Sequence, residues 1–511
     1  MNNPILLTDS YKASHAKQYI QCTAKRAGTT TIHSYFSCRK SKDFNEVVFF
    51  GIKPILQKLK TIITNEMIEE ARSYFEEHMH YFDDEGWKHI VDHCEGKLPL
   101  NIWHVPEGSI CKIGEPLIVV ENTDPKCFWL TNYVETLLVQ VWAPITVATN
   151  SYHLKKDILS ALEMTGNVIN IDYKMHDFGV RGVSSMETAA ITGTAHLTQF
   201  WGTDNVPALV LTRSVYDENM AGFSIPATEH STVTAWGDEP LDELKMFANL
   251  LKIYEDKMFA CVCDSYNIYQ FIINILGHVS IKTKILSRLA PVVIRPDSGD
   301  PPTVVIDVLN ALESVFGSEL NEKGYRELPR VVRVIQGDGI DAKMCTKVML
   351  AMVQKGWSIN NIGFGSGGGL LQKFNRDTLG CAFKASAVEL DGEWKDIYKS
   401  PIDAPNKKSL KGRCDTTKMV LGYTWDHLNV TKVTWAEIKE RCALQYDKAP
   451  SFLETCKRHG FDTDKQIIAP PRYDGAGRPM IRKRPLGYCQ KVNRRLKKFR
   501  SKEFREYKVE F

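Results

Sequence analysis

Five apolar runs in this chain each end in acidic, basic or glycine residues, and a helical pattern follows each run. A buried parallel strand reads as a continuous apolar run. Ligands of α/β folds bind at the carboxyl ends of such strands. The sequence therefore predicts one mouth to which all five ends contribute. The segments are Phe223–His230, Met258–Asp264, Pro291–Gly299, Val331–Gly339 and Ile362–Gly369.

The spacing of these segments predicts the fold class. They lie roughly 30–40 residues apart, the length of one strand–helix unit, and Asp177–His196 adds a further unit of the same kind. About six such units predict an α/β fold built as an irregular α/β barrel, with an open doubly wound sheet as the alternative. Within it, Thr303–Phe316 shows one apolar helical face, and Asp341 is expected to cap a helix over Ala342–Gln354.

Changes of pattern divide the 511 residues into four predicted parts. Residues 1–150 form an N-terminal mixed α+β domain, and residues 151–400 form the α/β barrel catalytic domain. Residues 401–448 form a C-terminal part packing on the N-terminal domain, and residues 449–511, rich in proline and basic residues, form an irregular extension. The elements predicted in the first part are strands at Thr30–Phe36, Val47–Phe50 and within Ile102–Val120, and helices at Met67–His80 and Trp129–Trp142, the last closed by Pro144.

The bulk composition predicts a cytoplasmic protein. Hydrophobic content of 43% and charged content of 25% are those of an ordinary globular chain. No apolar run approaches the length that crosses a bilayer, and the first residues lack the pattern of a secretory leader. Thirteen scattered cysteines without a CxxC pair favour reduced thiols.

Positive charge is concentrated at one end of the sequence. The net charge is +4, but residues 481–511 contain twelve Lys or Arg and three Glu, so the preceding 480 residues sum to −5. The run Arg494–Arg500 has the composition of a nucleic-acid-binding segment or of a solvated helix or tail. We favour the second interpretation and expect no nucleic-acid partner.

The glycine-rich loop is the first candidate for ligand binding. Gly365 and Gly367–Gly369 leave backbone N–H groups available to an anion at the start of a helix. Tight packing alone is an equally good explanation. The loop is not a P-loop, because no Gly-Lys-Ser/Thr follows, and its spacing is not that of a dinucleotide fingerprint.

Charged residues at the other strand ends supply further candidates. Arg295 suits an anion, whereas Asp297 and Asp338 suit a ribose hydroxyl or Mg²⁺, or else cap a loop. His230 is either a structural hydrogen-bonding residue or a nucleophile or acid/base oriented by Glu229 or Asp264. By contrast, the pair His89 and His93 matches no usual metal pattern, and we interpret both as exposed helix residues.

Longer motifs lie in order with the five segments and carry a family resemblance. They are Thr8–Lys12, Ser34–Arg39, Glu121–Pro125, Pro144–Asn150, His176–Ser185 and Gly202–Asp204. On these motifs the chain resembles the nicotinamide phosphoribosyltransferase family over about residues 5–445. The resemblance implies a type II phosphoribosyltransferase-like α/β barrel with a flanking mixed α+β domain, working as a homodimer with shared active sites.

The resemblance also implies a reaction. The phosphoribosyl group of 5-phosphoribosyl 1-pyrophosphate is transferred to nicotinamide, giving nicotinamide mononucleotide and pyrophosphate for NAD salvage. Mg²⁺ is implied as a cofactor, held mainly by the pyrophosphate rather than by an identified protein residue. ATP is implied as a co-substrate whose hydrolysis assists through a phosphorylated histidine.

Individual roles follow from the same resemblance. The catalytic residues that it implies are His230, as the phosphorylated histidine, with Glu229, Asp264 and Asp297. The substrate-binding residues that it implies within one chain are Phe178, Arg181, Asp204, Ser224, Arg295, Gly337, Asp338, Gly367 and Gly368. Those implied from the partner subunit are Asp9, Tyr11, Arg39, Arg376 and Lys384, and Lys399 and Lys407 are implied near nucleotide phosphates. Ala260 and Ala382 stand where the family often has serine.

Asp204 is expected to decide which substrate is used. A carboxylate there accepts a hydrogen bond from the amide of nicotinamide and repels the carboxylate of nicotinate, a difference of several kcal/mol in a dry pocket. The alternatives are a nicotinate phosphoribosyltransferase and a catalytically inactive binding relative. Asp204 argues against the first. The complete set of charged residues at the strand ends argues against the second.

Overall fold

The computed structural model describes residues 3–403, 407–425, 432–445, 449–463, 472–473, 479–480 and 509. The predicted basic segment Arg494–Arg500 and most of the predicted extension lie outside these residues. The chain forms two compact units. The first contains the described residues within 1–149, 210–219 and 374–443, and the second contains those within 150–209, 220–373 and 444–511. None of the helices within the described ranges combines the length and hydrophobicity that a membrane crossing requires.

A curled parallel sheet forms the centre of the second unit. Its strands follow the spatial order Gly202–Thr203, Met175–Asp177, Ile362–Ser366, Val332–Gln336, Val292–Arg295 and Phe259–Val262, and every pairing is parallel. The segment 223–227 reaches both edge strands, because Phe223 bridges Gly202 and Ala227 bridges Ala260. The predicted irregular α/β barrel is therefore confirmed. All five apolar runs contribute to it.

Amphipathic helices cover the barrel with their apolar faces. In the helix Pro301–Phe316, Val305, Leu309 and Leu312 are fully buried, as the spacing predicted. Asp341 Oδ1 accepts a hydrogen bond of 2.9 Å from the N–H of Met344, so the predicted cap is confirmed. Further helices with residues in this unit are Trp142–Thr165, Met186–Leu197, Val206–Tyr216, His230–Thr234, Pro240–Ile253, Ile268–Gln270 with the π-helix Phe271–Leu276, Val279–Leu286, Ala342–Gln354, Gly368–Leu371 and Phe452–Arg458.

An antiparallel sheet forms the centre of the first unit. Its strands follow the order Glu393–Asp396, Cys381–Leu390, Thr29–Cys38, Pro116–Asn122, Leu100–His104 and Val420–Thr424. The predicted barrel range 151–400 therefore extends past the last barrel strand, because Cys381–Leu390 pairs with Thr29–Cys38 instead. The helices of this unit are Lys53–Leu59, Asn65–Met79, Glu85–His93, Leu130–Tyr133, Glu135–Val139 and Trp435–Arg441, and Glu46–Val48 pairs separately with Ile110–Lys112.

Two local expectations in the first part of the chain were wrong. Pro144 does not close a helix, since it lies in the first turn of the helix Trp142–Thr165. Proline is tolerated there because first-turn N–H groups have no intrahelical partner. His93 is exposed as expected, but the side chain of His89 is only 14% exposed, because its ring contacts Asp124.

Candidate active site

His230 and Asp264 meet at the ends of two neighbouring barrel segments. His230 is the first residue of the short helix His230–Thr234, and its Nε2 lies 3.2 Å from Asp264 Oδ1. The other carboxylate oxygen accepts hydrogen bonds from the N–H of Asp297, at 3.1 Å, and from the hydroxyl of Ser298, at 2.6 Å. Asp264 is thus fixed from three sides, while the imidazole is 49% exposed and can reach a ligand.

The structure distinguishes between the two candidate partners of this imidazole. Glu229 accepts a hydrogen bond from the hydroxyl of Ser231, whereas Asp264 contacts the ring of His230. A carboxylate in this position favours a proton on the facing nitrogen and leaves the other nitrogen for chemistry. Asp264 is therefore the residue that orients the histidine.

Arg295 is held between a carboxylate and an aromatic ring. Its Nη2 and Nε donate to Asp297 Oδ1 at 2.8 and 3.2 Å, and its guanidinium lies 5.4 Å from the ring centroid of Phe178. Ion pairing and cation–π attraction both fix this side chain at the mouth. Its remaining N–H donors suit a phosphate or hydroxyl oxygen.

The loop that carries Phe178 is anchored by a buried carboxylate. Asp177 accepts hydrogen bonds from the N–H of Gly179, at 2.7 Å, and from Nδ2 of Asn205, at 2.9 Å. The N–H of Phe178 donates to the carbonyl of Ser366 at 2.9 Å. Burial raises the pKa of Asp177 to about 6, although its hydrogen bonds lower that pKa. The ring of Phe178 is therefore fixed by the strand end behind it.

Close approach explains two glycines of the glycine-rich loop. A Cβ on Gly365 would lie 2.0 Å from the ring of Phe178, and one on Gly368 would lie 2.9 Å from the carbonyl oxygen of Gly182. Gly365 is therefore required by packing against the aromatic ring. Gly367 and Gly368 also face a cavity, so an anion can approach their backbone.

Two cavities at the barrel mouth share three residues, namely Arg181, Arg295 and Asp297. The larger has a volume of about 500 Å³ and the smaller about 200 Å³. The larger is also lined by Phe178, Gly182, Gly337, Asp338, Gly339, Ile340, Asp341, Gly367, Gly368, Gly369 and Lys373, and the smaller by Glu229, His230, Ser231 and Val262. The shared lining makes them adjoining parts of one site, with His230 in one part and the glycine-rich loop in the other.

Asp204 and Ser224 lie at the same end of the barrel. The N–H of Asp204 donates to the carbonyl of Asp177 at 3.0 Å, one residue before Phe178. The hydroxyl of Ser224 donates to Asp204 Oδ1. Both residues are exposed, so the carboxylate is accessible to a ligand, but neither is among the residues that line the two cavities.

Sequence comparisons identify the family to which this arrangement belongs. A model described as the nicotinate phosphoribosyltransferase (NAPRTase) family matches residues 173–431, and a model of the nicotinamide phosphoribosyltransferase N-terminal domain matches residues 3–102. The chain belongs to the nicotinate phosphoribosyltransferase family. A nicotinamide phosphoribosyltransferase of Xanthomonas campestris is 42% identical over 81% of this chain and 87% of its own length. A nicotinamide phosphoribosyltransferase of Acinetobacter baylyi is 32% identical over 83% of this chain and 90% of its own length.

Two solved structures share the fold of this chain. Human nicotinic acid phosphoribosyltransferase matches with a TM-score of 0.55 at 16% identity, covering 92% of this chain and 97% of its own. The nicotinate-nucleotide pyrophosphorylase of Pyrococcus furiosus matches with a TM-score of 0.50 at 15% identity. This match covers 90% of the present chain and 97% of the pyrophosphorylase. These similarities confirm the type II phosphoribosyltransferase fold that the motifs implied.

The residues that we expect a partner subunit to contribute all lie in the first unit of the chain. Asp9 accepts a hydrogen bond of 2.7 Å from the hydroxyl of Thr136, and Tyr11 is 55% exposed. The remaining members of the set are basic. Arg39 donates to the carbonyl of Gly380 at 3.1 Å, Lys384 donates to that of Phe383 at 2.6 Å, and Arg376 is exposed. Lys399 and Lys407, which are implied near nucleotide phosphates, are exposed residues of the same unit.

Several of these cations are close enough to interact. Burial lowers the pKa of Lys384, and the positive charges of Arg39, Lys12 and Lys399 lower it further, while Glu135 opposes them. A cluster of like charges favours a bound anion. We refer to Arg39, Lys384 and Lys399 as the first-unit cations.

Sequence reasoning missed two polar residues at the barrel mouth. Lys373 lines the larger cavity and donates to Asp341 Oδ2 at 2.7 Å. Ser298 holds Asp264. The first was detectable as the basic residue that follows the glycine-rich loop. The second was not, because its role depends on a contact between two separate loops.

Proposed function

We propose that the chain transfers the phosphoribosyl group of 5-phosphoribosyl 1-pyrophosphate to nicotinamide, giving nicotinamide mononucleotide and pyrophosphate in NAD salvage. The observation that carries this proposal is the pair of adjoining cavities in which Arg295 contacts both Phe178 and Asp297. One mouth thereby offers an aromatic face, a guanidinium and carboxylates. The names of the relatives at 42% and 32% identity agree with it.

The chemistry requires positioning more than a protein nucleophile. As pyrophosphate leaves, positive charge develops on the ribose carbon, and the pyridine nitrogen attacks from the other side. Phe178 stacks on the pyridine ring, while Arg181 and the N–H groups of Gly367 and Gly368 bind the 5′-phosphate. Asp297 and Asp338 accept hydrogen bonds from ribose hydroxyls or stabilise the developing charge.

Mg²⁺ prefers oxygen ligands such as carboxylates. The carboxylate side chains of Asp297 and Asp338 are both among the residues that line the larger cavity. The donor set therefore fits the ion, which would neutralise the pyrophosphate as it departs. These two residues would hold it together with the substrate oxygens.

Asp204 selects the amide over the acid. Ser224 donates to one carboxylate oxygen of Asp204, which holds that carboxylate in place. Nicotinamide can donate an amide N–H to this carboxylate, whereas the negative charge of nicotinate is repelled. Asp204→Asn removes that repulsion, so the preference for nicotinamide over nicotinate, expressed as a ratio of kcat/KM values, should fall by roughly tenfold or more.

ATP assists through phosphorylation of His230. Asp264 fixes one ring nitrogen, and the exposed imidazole lines the smaller cavity beside Arg181 and Arg295, which suit the phosphates of a nucleotide. Lys399 and Lys407 are further candidates for contacts with those phosphates. His230→Ala should keep slow phosphoribosyl transfer but lose its stimulation by ATP, because transfer itself uses no histidine nucleophile.

The active form is a homodimer in which the first unit of one subunit completes the barrel site of the other. Tyr11 would cover the second face of the pyridine ring. Asp9, Arg39, Arg376 and Lys384 would complete the phosphate and ring contacts. The support for this part is the cluster of exposed or poorly compensated cations in the first unit. We further expect a cytoplasmic enzyme.

One assay tests the proposal and its nearest alternative. The purified chain is incubated with 5-phosphoribosyl 1-pyrophosphate, Mg²⁺ and either nicotinamide or nicotinate, with and without ATP, and mononucleotide and pyrophosphate are measured. We expect nicotinamide mononucleotide in a 1:1 ratio with pyrophosphate, at a higher rate with ATP. Higher kcat/KM with nicotinate would make the chain a nicotinate phosphoribosyltransferase, and no product with either base would refute both.

A further inference from the structure

A cluster of four potential metal ligands lies in the first unit, on two short segments. His89 lies in the helix Glu85–His93, and Cys94 ends that helix, its N–H bonded to the carbonyl of Ile90. Asp124 caps the 3₁₀ turn Pro125–Cys127, and Cys127 is the last residue of that turn. The two ligand pairs thus have the spacings His-x4-Cys and Asp-x2-Cys.

The donor atoms of three of these side chains lie close together, and the fourth side chain, Cys94, contacts two of the three. His89 Nε2 lies 2.9 Å from Asp124 Oδ2, and Cys94 Sγ lies 3.9 Å from the same oxygen. The donor atoms of His89, Asp124 and Cys127 all lie within 4.8 Å of one another. Cys127 hydrogen-bonds to Cys94, so the second sulfur belongs to the same cluster.

This donor set is one that binds zinc. Imidazole nitrogen, thiolate sulfur and carboxylate oxygen are its protein ligands, and structural zinc sites have four of them in a tetrahedron. Zinc–ligand distances of about 2.0–2.3 Å put neighbouring donors roughly 3.3–3.8 Å apart. The contact between Cys94 and Asp124 is close to that range. The contact of 2.9 Å between His89 and Asp124 is shorter than this range and has the length of a hydrogen bond.

The surroundings already fix both segments. Asp124 Oδ1 accepts a hydrogen bond of 2.7 Å from the N–H of Lys126, which leaves Oδ2 directed at the cluster. Next to the two segments, the rings of Trp87 and Trp129 pack edge to face with centroids 4.9 Å apart. Cys94 and Cys127 are 6% and 0% exposed. Such pre-organisation and burial are typical of structural rather than catalytic metal sites.

We propose that His89, Cys94, Asp124 and Cys127 form a structural site for a zinc-like divalent metal ion, separate from the barrel mouth. The ion displaces the protons now shared within the cluster and links the end of the helix Glu85–His93 to the turn Pro125–Cys127. The competing explanation is a hydrogen-bond network that needs no metal. The two differ in whether the full-length protein takes up a stoichiometric ion through these thiols.

The test is a cobalt titration of the full-length protein after treatment with a chelator under reducing conditions. We expect about one Co²⁺ per chain, with a thiolate-to-cobalt charge-transfer band and intense visible bands of tetrahedral geometry, all lost on addition of Zn²⁺. Zinc should also raise the thermal unfolding midpoint, because an ion that binds only the folded state stabilises it.

Matched variants locate the site. Cys127→Ser and Asp124→Asn should each weaken cobalt binding by roughly 100-fold and remove or shift the bands. Cys345→Ser, which changes an equally buried thiol in the second unit, and Cys22→Ser, at an exposed thiol, should leave them intact. His89→Gln replaces the first two variants if they do not fold. Wild-type protein without a charge-transfer band, or a band that survives in Cys127→Ser and His89→Gln, would overturn the proposal.

Discussion

The barrel mouth and the first-unit cations bring charged side chains together by different means. At the mouth, each residue follows its own parallel strand, and all carboxyl ends of such strands meet at one edge. The first-unit cations instead depend on the register of antiparallel strands, in which Cys38 pairs with Cys381 and Tyr35 pairs with Lys384. Topology alone creates the first group, whereas the second needs one particular alignment of distant strands.

The two groups also differ in how their charges are compensated. At the mouth, Arg295 pairs with Asp297, and His230 pairs with Asp264. In the first unit, Arg39 and Lys384 donate to backbone carbonyls and lie near other cations. A compensated site is pre-organised for its ligand, while one compensated only in part, here by Glu135, gains from an anion that arrives. We therefore expect larger losses from changes at the mouth.

The largest effect should come from Arg295→Ala. Loss of a guanidinium that lines both cavities, contacts Phe178 and pairs with Asp297 should lower kcat/KM by roughly 1000-fold, about 4 kcal/mol. Arg295→Lys should restore little of the lost kcat/KM, because an ammonium group lacks the planar, two-pronged set of N–H donors of a guanidinium. Arg330→Ala changes an exposed arginine that precedes the neighbouring strand and should match wild type. If kcat/KM falls less than tenfold in Arg295→Ala, the barrel mouth does not contribute more to activity than the first-unit cations.

The next effect is on stability in acid and concerns the core of the first unit. Burial lowers the pKa of His104 from 6.5 to about 4. The unfolded chain therefore binds the proton first, and stability present above pH 6.5 is lost as the pH falls towards 4. Wild type should lose about 3 kcal/mol of unfolding free energy relative to His104→Gln over that range. Urea unfolding at several pH values measures it, and the exposed His93→Gln serves as control. Parallel curves for wild type and His104→Gln would contradict the assignment.

A pair of glycines on one strand tests how tightly the mouth is packed. A Cβ at position 365 would lie 2.0 Å from Phe178, whereas one at position 363 would have no neighbour nearer than 3.9 Å. Gly365→Ala should therefore displace the ring and lower kcat/KM by roughly 100-fold, mainly through the KM for nicotinamide. The kcat/KM of Gly363→Ala should remain within threefold of the wild-type value, a difference of about 0.7 kcal/mol. Equal losses in both variants would point to a general strand effect instead.

The smallest effect is expected from the first-unit cations. Lys384→Ala should raise the KM for 5-phosphoribosyl 1-pyrophosphate about tenfold, since one exchangeable cation is lost. Lys395→Ala, on the adjoining exposed strand, is the matched control. If the first unit serves the barrel of another subunit, mixing Lys384→Ala with Arg295→Ala should restore intact sites in mixed dimers, to about a quarter of the wild-type number. No recovery on mixing would mean that the two residues act within one subunit.

Much of the barrel was predictable because its determinants are local. Apolar runs, turn glycines and caps such as Asp341 lie within a few residues of the elements that they define, and the parallel topology then groups the strand ends. The pairing of His230 with Asp264 rather than Glu229 was not predictable, since it depends on a distance between loops more than 30 residues apart in the sequence. Gly365 was ambiguous for the same reason, because Phe178 lies far from it along the chain.

The sequence by itself determined the order of strand–helix units and the chemical types of residue that follow each strand. Both depend only on residues that are adjacent in the sequence. Only the tertiary structure decided which of those residues touch, that Cys381–Leu390 leaves the barrel for the antiparallel sheet, and that His89 turns inward to Asp124. Such pairings depend on through-space packing between distant segments, which no local pattern encodes.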